Sequence, residues 1–217
     1  MFFVKSFLLL QLSLYTAIAL AGTDPVMVEE KMEGVPFGKL TDYLLDKNGN
    51  LTIDMVSSKD VSGFKRYTKD FVALEFGDLT YWLRFSLHNP SAEPKTLYIE
   101  CRYPSIDHLT LFMPETDGRF RETTIGDRQP FKDREIYHRN LVFRVELPPG
   151  ESTVYLRSKH VGNTRLLMAL WTPAEFKEYR VLETIFLAVQ FGAMFTMLIY
   201  NFFIFLSTRS RAYLYYL

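Results

Sequence analysis

A run of 23 residues without a charged side chain, from Thr184 to Leu206, constrains this sequence more than any other feature. As an α-helix the run would be roughly 34 Å long, which is enough to cross a hydrocarbon core of about 30 Å. Only a helix pairs all of its own backbone N–H and C=O groups within lipid. The run therefore predicts a transmembrane helix over residues 184–206, with the preceding and following residues on opposite sides of a membrane.

The first residues have the pattern of an export signal. Lys5 supplies the positive start, the stretch from Phe7 to Leu20 is mostly apolar, and Ala19 and Ala21 provide the small residues that a signal peptidase reads. We expect a signal peptide over residues 1–21. The alternative is an uncleaved anchor helix.

Export sets the orientation of the predicted span. It places residues from about 22 to 180 outside the cytoplasm, in a periplasmic or extracellular position, and Ser207 onward inside. Arg209 and Arg211 follow the span closely and fit a cytoplasmic flank. We therefore expect a protein of the inner (cytoplasmic) membrane, with membrane lipid as one partner.

The charge balance and the cysteine count exclude several classes of partner. The 25 basic and 25 acidic residues cancel, so no basic excess points to nucleic acid. Cys101 is the only cysteine, which rules out an intramolecular disulfide and a cysteine-rich metal site. We expect no nucleic-acid partner, no cofactor and no metal.

The segment before the span has a β pattern. In residues 81–89 apolar and polar side chains alternate, which places Tyr81, Leu83, Phe85 and Leu87 on one face and Trp82, Arg84, Ser86 and His88 on the other. Further short strands are predicted at 96–101, 108–113, 141–147, 153–157 and 165–171, with turn signals such as Gly162-Asn163 between them. This spacing predicts a mainly β domain, a jelly roll or β-sandwich, over residues 38–175.

The remaining segments are assigned by composition and local pattern. We expect a linker over residues 22–37 and a tight hairpin at Asn48-Gly49, between limbs at 40–45 and 51–55. Residues 123–139 fit no regular element, and long loops of that kind are often functional. We also predict a juxtamembrane helix over 176–183, and a cytoplasmic loop with the start of a second helix over 207–217.

Five stretches in series carry a family resemblance: LTDYLLDKNGNLTIDM, YWLRFSLHNPS, YPSIDHLTLF, GDRQPFKDREIYHRNLVFRVELPPGESTVYLR and LLMALWTPAEF. Over roughly residues 38–177 the chain resembles the second type of extracellular domain in the bacterial seven-transmembrane receptors with diverse intracellular signalling modules (7TMR-DISM). TMLIYNFFIFLSTRSRAYLYYL resembles the family's first membrane helix and the start of its second.

The resemblance implies an extracytoplasmic domain similar to carbohydrate-binding modules, seven membrane helices and a cytoplasmic output such as a kinase or cyclase domain. The sequence stops at Leu217, which leaves no room for those further parts. A fragment of a longer receptor or a truncated gene would account for this. Other transmembrane helices are then expected partners.

Candidate ligand residues combine aromatic rings with planar hydrogen-bonding groups, as sugar recognition requires. They are Trp82, Arg84 and His88 on one strand face, Asp107 and His108 after a turn, and Asp127, Arg128, Tyr137, His138, Arg139 and Asn140 in the long loop. The alternative is structural, because a tryptophan on a sandwich strand is often buried on both sides and Asp–Arg pairs often hold a loop in place. These residues predict a soluble extracytoplasmic ligand of the glycan type.

In the membrane helix, the polar and small residues Gln190, Gly192, Thr196 and Asn201 are predicted to pack against other helices. Gln190 and Asn201 fall on one helical stripe with Ala193 and Met197, beside the pair formed by Gly192 and Thr196. The alternative for Asn201 is that it reaches the membrane interface.

Two functions remain open at this level. The first is the sensory part of a membrane receptor, with its output domain outside this sequence. The second is a single-span surface glycan-binding protein or a structural protein of the envelope. The sequence has no nucleophile elbow, paired-histidine zinc helix or phosphate loop, so we do not expect an enzyme.

Overall fold

Two β-sheets pack face to face in the computed structural model, which describes residues 24–58, 61–210 and 212–213. The chain divides into two units, one up to Thr172 and one from Pro173 onward, and each is described by itself. The predicted signal peptide and most of the predicted second membrane helix lie outside the described residues.

The larger sheet has seven strands in the order β4-β3-β5-β10-β7-β8, and β1 pairs in parallel with β5. Its strands are β1 (Val26–Met27), β3 (Asp42–Asp46), β4 (Lys65–Arg66), β5 (Val72–Asn89), β7 (His108–Pro114), β8 (Phe120–Ile125) and β10 (Gly150–Leu166). The smaller sheet has the order β2-β11-β6-β9. Its strands are β2 (Glu33–Pro36), β6 (Lys95–Cys101), β9 (Leu141–Leu147) and β11 (Met168–Trp171).

The main core is the layer between the two sheets. Leu83, Phe85 and Leu87 of β5 lie in it, as the period-two pattern predicts, together with the inward side chains of β6 and β9. Cys101 is also buried in this layer, and burial raises the pKa of its thiol to about 12. The predicted mainly β sandwich is confirmed.

Two strands are longer than the sequence predicts. β5 and β10 form one antiparallel ladder from Asn89↔Gly150 to Val72↔Leu166. The predicted turn at Gly162-Asn163 is wrong, because these residues lie inside β10, where the register shifts between Asn163 and Arg165. The chain changes direction at Leu167 instead, and the next four residues join the smaller sheet as β11.

The predicted linker over 22–37 is part of the sandwich from Val26 onward. β1 and β2 both belong to the sandwich, and Val26, Val28 and Met32 are buried in the main core. Alternation is too short in two- and four-residue strands to give a sequence signal. The sandwich therefore includes residues from Val26 onward, ahead of the predicted boundary at 38.

The predicted hairpin at Asn48-Gly49 is only half correct. The turn forms, because the Gly49 N–H donates to the Asp46 carbonyl at 3.2 Å and the Asp46 carboxylate accepts the backbone N–H groups of Asn50 and Leu51. The second limb is not a strand but a short helix, α1 (Ile53–Ser57). The side chain of Thr52 caps α1 by accepting the Met55 N–H, which favours a helix at that point.

The second unit is dominated by one helix, α2 (Pro173–Thr208). It joins the predicted juxtamembrane helix to the predicted span without a break. Its mean hydropathy reaches 1.8 over an 18-residue window, so by length and composition it is able to cross a membrane.

Candidate functional site

The predicted ligand residues on β5 do share one face of the larger sheet, the face turned away from the main core. Phe112 of β7 lies on this outer face, because its ring stacks on Trp82 with centroids 5.3 Å apart. His108 belongs to the same face, since it precedes Phe112 by four residues in the strand. The sequence therefore assigns the face of these side chains correctly.

The Trp82 ring is nevertheless inaccessible. It is only 1% exposed and belongs to a second apolar cluster, with Val56 of α1, Phe112 and Tyr155. A ring buried in this way offers no face to a ligand in this conformation. Trp82 is therefore not part of an open binding site, in agreement with the structural alternative.

Arg84 and His88 also have structural roles. Arg84 donates to the Asp42 carboxylate at 2.9 Å, and its guanidinium carbon lies 4.4 Å from the centre of the Phe64 ring. The His88 carbonyl accepts the Val28 N–H at 2.9 Å, which holds the chain after β1 against β5. The Arg84 guanidinium is therefore occupied by Asp42 and Phe64, whereas the His88 bond uses only its backbone and leaves the half-buried imidazole without an assigned role.

Asp107 is the centre of a polar cluster where β7 begins. Its carboxylate accepts the backbone N–H of Val161 at 2.9 Å, contacts His160 Nδ1 at 2.9 Å and accepts from Arg128 Nε at 3.0 Å. The Val161 hydrogen bond, followed by those of Arg128 and His160, lowers the pKa of Asp107 from 3.8 to about 2. The carboxylate is therefore ionised at any physiological pH.

The same cluster fixes the start of the long loop. The Asp127 N–H donates to the Ile106 carbonyl at 2.7 Å and the Arg128 N–H to the Asp107 carbonyl at 3.3 Å. Gly126 lies so close to the Asp107 backbone that an added Cβ would overlap its carbonyl oxygen. The predicted residues Asp107, Asp127 and Arg128 thus come together, and His160 joins them from a strand 53 residues away.

Arg134 holds the middle of the loop. Its guanidinium donates to the His138 carbonyl at 3.1 Å and to the Gly126 carbonyl at 3.5 Å, which ties the two ends of the loop together. The guanidinium carbon also lies 4.9 Å from the centre of the Phe131 ring. The prediction of no regular structure over 123–139 needs a correction, because residues 123–125 complete β8 and Phe131–Asp133 form a 3₁₀ turn.

The loop presents two aromatic rings to solvent. Phe131 is 51% and Tyr137 59% exposed, with ring centroids 5.7 Å apart. Asp127, Arg128 and Arg139 are exposed beside them in the same loop. Exposed rings next to planar polar groups are the combination that the sequence predicted for a ligand site.

The end of the loop is built into a buried network around Glu100, which sequence reasoning missed. The Glu100 carboxylate is fully buried and accepts from Asn140 Nδ2 at 2.7 Å, Trp171 Nε1 at 2.8 Å and Arg102 Nε at 3.0 Å. His138 Nδ1 accepts the Asn140 N–H at 3.2 Å. A single acid within the run Leu97-Tyr98-Ile99-Glu100-Cys101 was the available signal, because buried carboxylates need partners.

His138 and Asn140 are therefore held inside the fold, and each is 6% exposed. Tyr137, which precedes them, and Arg139, which lies between them, are exposed. The network anchors the exposed part of the loop at its far end, as the Asp107 cluster does at its start. Among the described residues, no group of three or more His, Cys, Asp or Glu side chains is placed to hold a metal ion.

In α2, two of the four predicted packing residues bond to their own helix. Thr196 Oγ1 donates to the Gly192 carbonyl at 2.8 Å, and Asn201 Nδ2 donates to the Met197 carbonyl at 3.0 Å. Gln190 and Gly192 are exposed on the isolated helix. Packing of this helix against others remains a prediction.

Two family models match the chain. The model described as 7TMR-DISM extracellular 2 matches residues 38–172, more than half of the sequence. The model described as 7TM diverse intracellular signalling matches residues 183–217. The boundary between the two matches falls within the first turns of α2.

Comparisons with individual proteins add little. None of the curated proteins compared matches the chain. Among solved structures, one similar chain is TmCBM61 in complex with β-1,4-galactotriose, with 9% sequence identity and a TM-score of 0.34. The match covers 64% of this chain and 94% of that one. At this TM-score the likeness says nothing about a ligand.

Proposed function

The chain belongs to the bacterial seven-transmembrane receptors with diverse intracellular signalling modules, and we propose that it is the sensory input part of such a receptor. In this proposal residues 24–172 are an extracytoplasmic domain that binds a soluble ligand. α2 is then the first membrane helix, in the inner (cytoplasmic) membrane, and other membrane helices carry the signal onward to a cytoplasmic output.

The observation that carries the binding proposal is the loop over residues 126–140. Its two ends are fixed by buried or partly buried polar clusters, at Asp107 and at Glu100, while Phe131 and Tyr137 between them face solvent. Two adjacent exposed rings on a well-anchored loop form an apolar patch, and apolar patches rimmed by polar residues mark interaction sites. Anchored loops with exposed side chains are where binding residues concentrate.

The chemistry of the loop favours a polyhydroxylated ligand such as a glycan. The C–H face of a sugar ring packs on an aromatic ring, and its hydroxyl groups need both donors and acceptors. Tyr137 supplies a ring, Arg128 supplies donors and Asp127 supplies acceptors, and all three are exposed in the same loop. Arg128 is well placed for this role because Asp107 holds its Nε while the side chain stays 70% exposed.

A glycan array followed by calorimetry on the full chain in detergent micelles tests the proposal. Tyr137→Ala combined with Arg128→Ala should weaken binding at least about tenfold, since the ring on which the sugar packs and a charged hydrogen bond are both lost. Phe76→Ala, which removes an exposed ring of β5, is the matched control and should bind as the wild type does. Full affinity in the double variant would exclude the loop as the binding site.

A further inference from the structure

Three aromatic side chains on the outer face of the larger sheet lie beneath a short segment of chain. Trp82, Phe112 and Tyr155 form this aromatic patch, and residues 51–58, which include α1, form the cover segment. Val56 of the cover segment has no exposed surface, and the partly buried Leu51 and Ile53 pack against the same cluster. The patch is therefore buried by the cover segment together with Leu44, Phe64 and Phe120, and not by the main core.

Two hydrogen-bond donors at the patch have no acceptor. Trp82 Nε1 and Arg157 Nε are buried and make no hydrogen bond with any residue that the structure describes. They belong to directly paired residues of β5 and β10, and the Arg157 guanidinium carbon lies 5.7 Å from the centre of the Trp82 ring. Buried polar groups are rarely left unpaired, because desolvation without a partner is costly. Two such donors side by side indicate a place for an acceptor.

The cover segment is short, and it is held by its buried apolar side chains and by hydrogen bonds near its two ends, among them the one from the Val61 N–H to the Ser58 carbonyl at 3.2 Å. α1 has five residues, which is too short for a helix that is stable without packing. Before α1, the segment is held by the Asp46 carboxylate, which accepts the Leu51 N–H, and by the Arg157 side chain, which donates to the Gly49 carbonyl at 3.0 Å. Such a segment is able to open locally while the sandwich stays folded.

Open grooves lie on both sides of the cover segment. One, of about 400 Å³, is lined by Leu44, Leu51 and neighbouring residues of β3. The other, of about 370 Å³, is lined by Ser57, Phe120 and Tyr155 among others. A ligand that displaced α1 would join these two spaces over the patch.

We propose that the aromatic patch and Arg157 form a second, concealed ligand site that opens when the cover segment moves away. The site would take an uncharged ring with acceptor oxygens, of the pyranoside kind, which packs against the aromatic patch and accepts from Trp82 Nε1 or Arg157 Nε. The ligand class rests on the proposed function, but the site is separate from the loop over 126–140. The concealment explains why the Trp82 ring shows no accessible face.

The opening is tested without any ligand. The full chain, ¹⁵N-labelled at tryptophan in detergent micelles, gives two indole signals because it has two tryptophans, and Trp171→Phe assigns them. Val56→Ala should speed solvent exchange of the Trp82 indole proton roughly tenfold, since it removes the buried anchor of the cover segment. Met55→Ala, on the exposed side of α1 with 54% of its surface accessible, should leave the rate unchanged. An unchanged rate in Val56→Ala, or a change equal to the loss of global stability, would overturn the proposal.

Titration with neutral methyl pyranosides then tests binding. In Val56→Ala the Trp82 indole signal should shift in a saturable manner while the Trp171 signal stays in place, because Trp171 Nε1 already bonds Glu100. No shift would mean that water alone satisfies the two donors, and the ligand site would be rejected. If the shift disappears when Tyr137→Ala and Arg128→Ala are added to Val56→Ala, it arises from binding at the loop, and the concealed site is again rejected. A shift that persists in this triple variant supports the concealed site independently of the loop.

Discussion

Trp171 donates its indole N–H to the fully buried carboxylate of Glu100, and the two atoms are 2.8 Å apart. The bond joins β11, the last strand of the sandwich, to β6 on the outer face of the smaller sheet. Asn140 donates to the same carboxylate from the end of the long loop. One buried acid thus connects the last strand with the loop that we propose to bind ligand.

Replacing this acid should destabilise the domain strongly. Glu100→Gln leaves the Arg102, Asn140 and Trp171 donors facing an amide that cannot accept from all three, so we expect a loss of about 3 kcal/mol in unfolding free energy. Urea unfolding of the wild type and the variant measures it. Glu146→Gln, which breaks an exposed pair with Arg144, is the control and should lower the stability much less, because solvent screens that pair. Equal losses in the two variants would contradict a special role for Glu100.

The Asp107 cluster predicts a pH dependence at the acid end. Because its folded pKa is about 2 and its ordinary value is 3.8, the stabilisation from Asp107 is complete above about pH 4 and is lost as the pH falls toward 2. A ¹³C titration of the Asp107 carboxyl group should give a midpoint near 2. Arg128→Gln should raise that midpoint only in part, because the Val161 N–H still donates. A midpoint near 3.8 in the wild type would show that the cluster does not form.

Gly126 should tolerate no side chain. In Gly126→Ala the Cβ would overlap the Asp107 carbonyl oxygen, so we expect a loss of about 3 kcal/mol and detachment of the start of the loop. Gly118→Ala is the control, since its Cβ would meet no atom within 4 Å and only its φ of +82° disfavours alanine, at about 1 kcal/mol. Thermal unfolding compares the two. A smaller loss in Gly126→Ala than in Gly118→Ala would mean that the close approach to Asp107 is absent.

Much of the sandwich follows from sequence, and its departures have local causes. The alternation from Tyr81 to Leu87 identifies the core face correctly, because two-sided β patterns are strong over seven residues. It does not show that a five-residue helix covers Trp82, since that contact depends on residues far along the chain. The role of His160 is hidden for the same reason: its partner Asp107 precedes it by 53 residues.

The domain boundary makes a further prediction. A fragment of residues 24–172 should be more stable than one of residues 38–172 by about 4 kcal/mol or more, because the shorter fragment loses the buried Val26, Val28 and Met32. Both should give a β-type circular dichroism spectrum if they fold. Equal urea midpoints for the two fragments would show that β1 and β2 contribute nothing to stability.

The membrane helix carries the last prediction. In a membrane two-hybrid assay the wild-type α2 should associate with itself or with a supplied partner helix, through contacts of roughly 0.6 to 2 kcal/mol each. Gln190→Leu with Gly192→Leu should weaken this association, because an amide and a site of close approach are both removed. Phe195→Leu with Phe202→Leu, away from the Gln190 stripe, should leave it intact. Full-strength association in the Gln190 and Gly192 double variant would refute the prediction that these residues pack against another helix.

The burial of Cys101 has a practical consequence for measuring movements of the long loop and of the cover segment. This residue is 1% exposed, and the pKa of its thiol is about 12. The thiol therefore reacts poorly with maleimides, since the thiolate is the reactive form. Cys101 is the only cysteine in the sequence. A second cysteine introduced at position 137 or 55 would therefore be the only reactive thiol, and Cys101 would not need to be replaced first. Spin or fluorescent probes can thus report on the loop and on the cover segment in an otherwise native chain.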